Sequence, residues 1–176
     1  MDKEKDQIQL SEEEQAALME KYDAEARTRK LTGAIAIVVT LLLIGFSTFQ
    51  IYTGWFGQLT DYLQRSIHLG FALVLIFLLF PGKKDGSRKR VAWYDYGLAG
   101  LSLIVCLYWP IFYDTLVRQV GGIEVQDMII GGLAILLVLE AARRVVGLPL
   151  VIIAIAFLLY ALFGRFMPGL LAHNGL

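Results

Sequence analysis

Five apolar stretches, each close to the length of a membrane-crossing helix, constrain this 176-residue chain more than any other feature. Hydrocarbon offers no water to satisfy backbone N–H and C=O groups, so a crossing segment must close its hydrogen bonds on itself. A helix of roughly 20 residues does so over the thickness of the apolar layer. The windows are residues 31–52, 61–80, 92–112, 127–146 and 148–163. The first contains no charge. The second needs its polar start, DYLQRSIH, to reach full length, and Pro81-Gly82 ends it. The third carries Asp95 one turn in and Pro110 near its close, and only Gly147 and Pro149 separate the last two, which predicts a tight hairpin. With 57% hydrophobic and 18% charged residues, the chain is too apolar for a soluble domain of this size. The expected fold is all-α, a polytopic membrane helix bundle of five predicted spans.

The distribution of bases predicts its orientation. Arg27, Arg29 and Lys30 precede the first window, and Lys83, Lys84, Arg88, Lys89 and Arg90 crowd the loop after the second. The alternate connections are poor in bases: residues 53–60 have none, and residues 113–126 have only Arg118. The N-terminus is therefore expected inside and the C-terminus outside. Trp55, Phe56, Trp93, Trp109 and Tyr113 fall near the expected interfaces, where amphipathic rings settle. Residues 1–30 hold nine acids and six bases, and the acidic start MDKEKDQIQLSEEEQ is far from the first apolar run, which is unlike a cleavable secretory signal. Ser11 and Glu14 have capping-box spacing, so a solvated cytoplasmic helical arm is expected to run to Lys30 and into the first span, with Glu25 and Arg29 paired on it. The organisation read from this is an acidic arm over 1–30, a four-helix membrane scaffold over 31–146, a fifth, connecting span over 147–166 and a periplasmic tail or truncated link over 167–176.

Two charge groups stand out against this background. In LVLEAARRVVG, Glu140, Arg143 and Arg144 lie roughly 20–25 Å along a helix that starts near Asp127, which places them at its cytoplasmic end. Glu140 and Arg144 have i, i+4 spacing with the acid leading, and the arginines suit the negative end of the helix dipole. One reading is an inside anchor with a local ion pair. The other is docking against a further membrane subunit, since the acid sits more than a turn deeper than the second arginine. At the opposite end Asp61, Arg65 and His68 follow i, i+4, i+7 spacing on one face of the second helix. They form either a snorkelling anchor or an outward contact surface for a soluble partner or the rest of a transporter. The basic loop would attract anionic lipid, although topology alone accounts for it.

Catalytic patterns are missing: the sequence has no P-loop, HExxH, GxSxG or CxxC. Enzyme activity is not expected. One histidine beside one acid is too small a ligand set for a metal, and a haem held by His68 and His173 is disfavoured because His173 follows Pro168-Gly169 in a loop. The single cysteine, Cys106, lies in an apolar run and reads as a small packing residue. A self-contained ion-coupled carrier needs interrupted helices meeting at mid-membrane, and none is evident.

Taken in order, RSIHLGFALVLIFLLFPGKK, WYDYGLAGLSL and VRQVGGIEVQDMIIGGLAILLVLEAARRVVGLPLVIIAIAFLLYALFGRFMPGLLAHNG resemble the N-terminal region of the fused membrane permeases of tripartite ATP-independent periplasmic (TRAP) transporters, of the TAXI type. The resemblance covers residues 65–175. It implies a small, Q-type four-helix component followed by a helix leading to the large M-type component. In such secondary transporters a periplasmic substrate-binding protein captures an organic acid, and the M-type component carries it inward by an elevator motion, commonly coupled to sodium. The Q-type component is the scaffold. By the same resemblance Arg65 and His68 match the RxxH stretch of the second helix, Asp127 the acid that opens the fourth, and Glu140, Arg143 and Arg144 the EAxRR stretch. None matches a substrate or sodium ligand, so no cofactor is expected in this chain. The family's fused proteins are several times longer, which implies a truncated fused permease or a separately encoded small subunit. The expected partners are the M-type component, the binding protein and the lipid of a bacterial or archaeal cytoplasmic membrane, without nucleic acid. The alternative is a free-standing structural or sensor membrane protein, with a membrane redox enzyme a distant third.

Overall fold

The computed structural model describes residues 28–83, 90–118, 122 and 124–166. These form five helices, α1 (Ala34–Phe56), α2 (Asp61–Leu79), α3 (Trp93–Arg118), α4 (Val125–Val145) and α5 (Leu148–Phe163), closed by a 3-10 turn at Gly164–Phe166. No strand occurs among the described residues. Helices α1 to α4 are each long and apolar enough to cross a membrane, as a multi-pass membrane protein requires. The 16 residues of α5 reach only about 24 Å against an apolar layer of roughly 30 Å.

Local chemistry sets the boundaries. Glycines in the left-handed region, Gly33 at φ 73° and Gly57 at φ 109°, bracket α1. Asp61 occupies the first turn of α2, where a negative charge suits the helix dipole. Gly147, at φ 111°, turns the chain between α4 and α5, and Pro149 stands in the first turn of α5, where a missing N–H costs nothing.

Two expectations need correction. The arm does not run as a helix into the first span: residues 28–32 are not helical, and the Arg29 backbone N–H donates instead to the Leu79 carbonyl at 2.8 Å. Ser11, Glu14 and Glu25 lie outside the described residues. The third helix also does not stop at Phe112; it bends there (φ −102°, ψ 19°) and continues to Arg118. Pro110 has no N–H for the carbonyl one turn back, that of Cys106. Ser66 of α2 donates its hydroxyl to that carbonyl at 2.5 Å. The orphaned acceptor is satisfied from a neighbouring helix, so the helix survives its proline.

The chain runs up and down, with α2 in contact with α1, α3 and α4 while α5 rests on α4. The core is built around α2, from Leu73, Val74, Phe77 and Leu78, with Ala99, Val105 and Cys106 of α3 and Leu137 and Ala141 of α4. Helices α2 and α3 approach most closely where a Cβ added at Gly70 would stand 3.0 Å from that of Cys106. Ser66 and Gly70, one turn apart, meet Cys106, and Ala99 and Ser102 of α3 are also small and buried; small side chains on both helices let two backbones pack tightly where water exerts no hydrophobic drive. Cys106 is buried there as a packing residue. The outward faces are apolar, with Ile37, Leu41, Ile44, Ile152, Phe157 and Leu159 exposed. Such a surface suits lipid or another membrane protein.

Candidate functional site

Helix α2 ends at a proline, which leaves its last carbonyls without intrahelical donors. Three arginines from distant parts of the chain converge on them. Arg29 donates to the carbonyls of Phe77 and Leu78 at 3.1 and 3.0 Å. Arg144 donates to Phe80 at 3.1 Å, and Arg143 to Gly82 at 3.0 Å. Concentrating positive charge at the negative end of a helix is favourable, and each guanidinium brings a fork of donors that a single lysine lacks.

Two carboxylates hold the arginines in place. Asp95, in the first turn of α3 and 0% exposed, gives one oxygen to Arg29 and the other to Arg144, the latter at 2.7 Å. Glu140 accepts from Nε and Nη2 of Arg143, both at 2.7 Å, and from Nε of Arg144 at 2.8 Å. The Arg144 guanidinium also lies 4.9 Å from the centre of the Phe77 ring. Gly82 suits this crowding, since a Cβ there would stand 2.9 Å from Nη2 of Arg144 and the guanidinium would have to shift. The cluster therefore pins the segment before α1, the end of α2, the start of α3 and the end of α4 to one another.

The structure joins Glu140, Arg143 and Arg144 as their spacing predicts, but the arginines turn inward. Their further partners are Asp95 and the carbonyls after α2, so the group is more than a local pair on one helix. Arg29 is buried and bound to Asp95; its expected partner Glu25 lies outside the described residues. Asp95 and Arg29 are the members that sequence reasoning missed. The available signal was Asp95 itself, an acid one turn inside an apolar helix, which at that depth calls for a cationic partner.

At the other end of the bundle the Asp61, Arg65, His68 stripe divides. Arg65 reaches Asp61 at 3.3 Å, with the two side chains 81% and 72% exposed, as a loose surface pair. His68 instead hydrogen-bonds Gln50 of α1 through Nδ1 and lies edge-on to Phe46. Gln64 donates to Thr53 at 3.1 Å and to Gln50 at 3.4 Å. A polar strip therefore fastens α1 to α2, and its glutamines were not singled out in the sequence. Asp127 lies inside the first turn of α4. It accepts the Tyr108 hydroxyl of α3 at 2.5 Å and the Glu124 N–H at 3.0 Å, which caps α4 and ties it to α3. Arg65 and Asp127 share the lining of a cleft of about 420 Å³ between α2, α3 and α4, while Asp61 and His68 do not. Tyr62 stacks on Trp109 beside it, the ring centres 5.0 Å apart. No group of three or more potential metal ligands occurs among the described residues.

No family model, curated protein or solved structure matches the chain.

Proposed function

We propose that the chain is the small scaffold component of a TRAP-type secondary transporter for organic acids, of the TAXI type, and that it steadies a large, ion-coupled elevator component in a bacterial or archaeal cytoplasmic membrane. The observation that carries the reading is the cluster at the end of α2. A scaffold must resist deformation while its partner moves, and five charged side chains here tie four segments into one body through bonds to one another and to backbone carbonyls. The charges of EAARR, part of the motif series that suggests the family, lie at its centre. The carboxylates and arginines of the described helices lie toward the two ends of the bundle, leaving mid-depth to apolar packing. The uncovered apolar faces of α4 and α5 offer area for the large component. Asp61, Arg65 and the cleft beside Asp127 lie at the end where a periplasmic binding protein would dock, with the N-terminus inside and α5 as a fifth, connecting span.

The test is reconstitution. The purified chain in liposomes is expected to transport nothing. Co-expressed with a large permease component encoded beside it, the chain is expected to co-purify with that component and to support sodium-dependent uptake of an organic acid in the presence of the binding protein. Uptake by the chain alone, or undiminished uptake by the large component without it, overturns the scaffold role.

A further inference from the structure

A second cavity, of about 440 Å³, runs along α2 between α1 and α3. Its walls include Val38 of α1, Val74 of α2 and Leu103 of α3, and no acid or base lines it. On α2 it extends from Leu78 to Ser66, a rise of roughly 18 Å, which is a little over half of an apolar layer of about 30 Å. The groove therefore has the depth of a single leaflet. It begins at the arginine-rich end of the bundle, where Leu78 and the half-exposed phenol of Tyr96 mark its mouth. Trp93, one turn before Tyr96 and largely exposed, sits where an indole marks the water interface.

Among the described residues, the exposed charges that flank the mouth along the chain are positive. Each wall is preceded by an exposed base, Lys30 before α1 and Arg90 before α3. Asp95, the acid nearest along the chain to Tyr96, is fully buried and consumed by two arginines. Bases at headgroup depth attract anionic lipid, and an apolar groove of leaflet depth leads away from them. We infer that this groove is a binding site for one anionic phospholipid of the adjoining leaflet. One acyl chain lies along α2, and the headgroup phosphate rests against Lys30, Arg90 and the Tyr96 hydroxyl. The inference needs only that the bundle spans a membrane and is independent of the transport reading.

The test uses the full chain in mild detergent, with native mass spectrometry counting retained phosphatidylglycerol and phosphatidylcholine of identical acyl chains. The wild type is expected to keep one phosphatidylglycerol, with a preference of roughly tenfold over phosphatidylcholine. Lys30→Gln with Arg90→Gln should remove the preference while leaving retention by the groove. Gly100→Leu should abolish retention of both lipids, because a Cβ at Gly100 meets nothing within 4 Å and the added side chain enters the groove. Should Gly100→Leu fail to fold by circular dichroism, the two base substitutions decide alone. Equal retention of the two lipids by the wild type, or an unchanged preference in the double variant, overturns the proposal. So does a photoreactive residue at Leu103 that labels a polypeptide in membranes rather than lipid.

Discussion

Replacing Asp95 with alanine is expected to be the most damaging single change in the bundle. The carboxylate is 0% exposed and divides its oxygens between two guanidiniums whose side chains are 2% and 1% exposed. Its loss leaves two buried cations facing one another at the end of α2, supported among the described residues by carbonyls and, for Arg144, by Glu140. Removing one partner of a buried ion pair costs roughly 3–5 kcal/mol, because the remaining charge stays desolvated without compensation. Glu140→Ala should cost much less, about 1 kcal/mol, since its carboxylate is 29% exposed and both arginines keep their carbonyl acceptors. Equilibrium unfolding of both variants in one detergent, followed by circular dichroism, measures the difference. Asp95→Ala combined with Arg144→Met should be less damaging than the sum of the single changes, as one unpaired cation is then gone. An Asp95→Ala variant no less stable than Glu140→Ala would refute the account of the cluster.

Ser66→Ala should destabilise the chain by about 1–2 kcal/mol by leaving the Cys106 carbonyl unpaired; in a Pro110→Ala background, where residue 110 can donate to that carbonyl again, thermal unfolding should show little further loss. Gly82→Val should cost roughly 1–3 kcal/mol by driving the added side chain into Arg144, and the same assay in an Arg144→Ala background should find most of that cost removed. Orientation is checked by cysteines at Ser87 and Gly122 in a Cys106→Ala background. An impermeant thiol reagent applied to intact cells should label the second and spare the first, and labelling at Ser87 would reverse the assignment of inside and outside.

Much of the architecture is a consequence of periodicity-free apolar length, and for that reason it was legible. Residues 148–163 were assigned as a helix with the bounds that α5 has, because Gly147 and Pro149 act through local backbone geometry alone. The i, i+4 relation of Glu140 to Arg144 was equally local and appears as a contact of 2.8 Å. The path of α3 beyond Pro110 was not legible, since it depends on a hydroxyl from α2 that sequence order places 40 residues from Cys106. Likewise, the burial of Arg29 depends on a carboxylate 66 residues away, which no local spacing around Arg29 points to.

Sequence alone determined that the chain makes apolar helices, where most of them begin and end, and which charges fall at their ends. These follow from backbone satisfaction in hydrocarbon and from local steric rules, which act within a few residues. Only the tertiary structure decided that Asp95 is the hub of the charged end, that α2 is the central helix and that His68 leaves its own stripe for Gln50. Ionic and polar partners are chosen by proximity in three dimensions. A buried charge takes whichever partner the packing of helices brings within reach, and that choice is made only once the bundle closes.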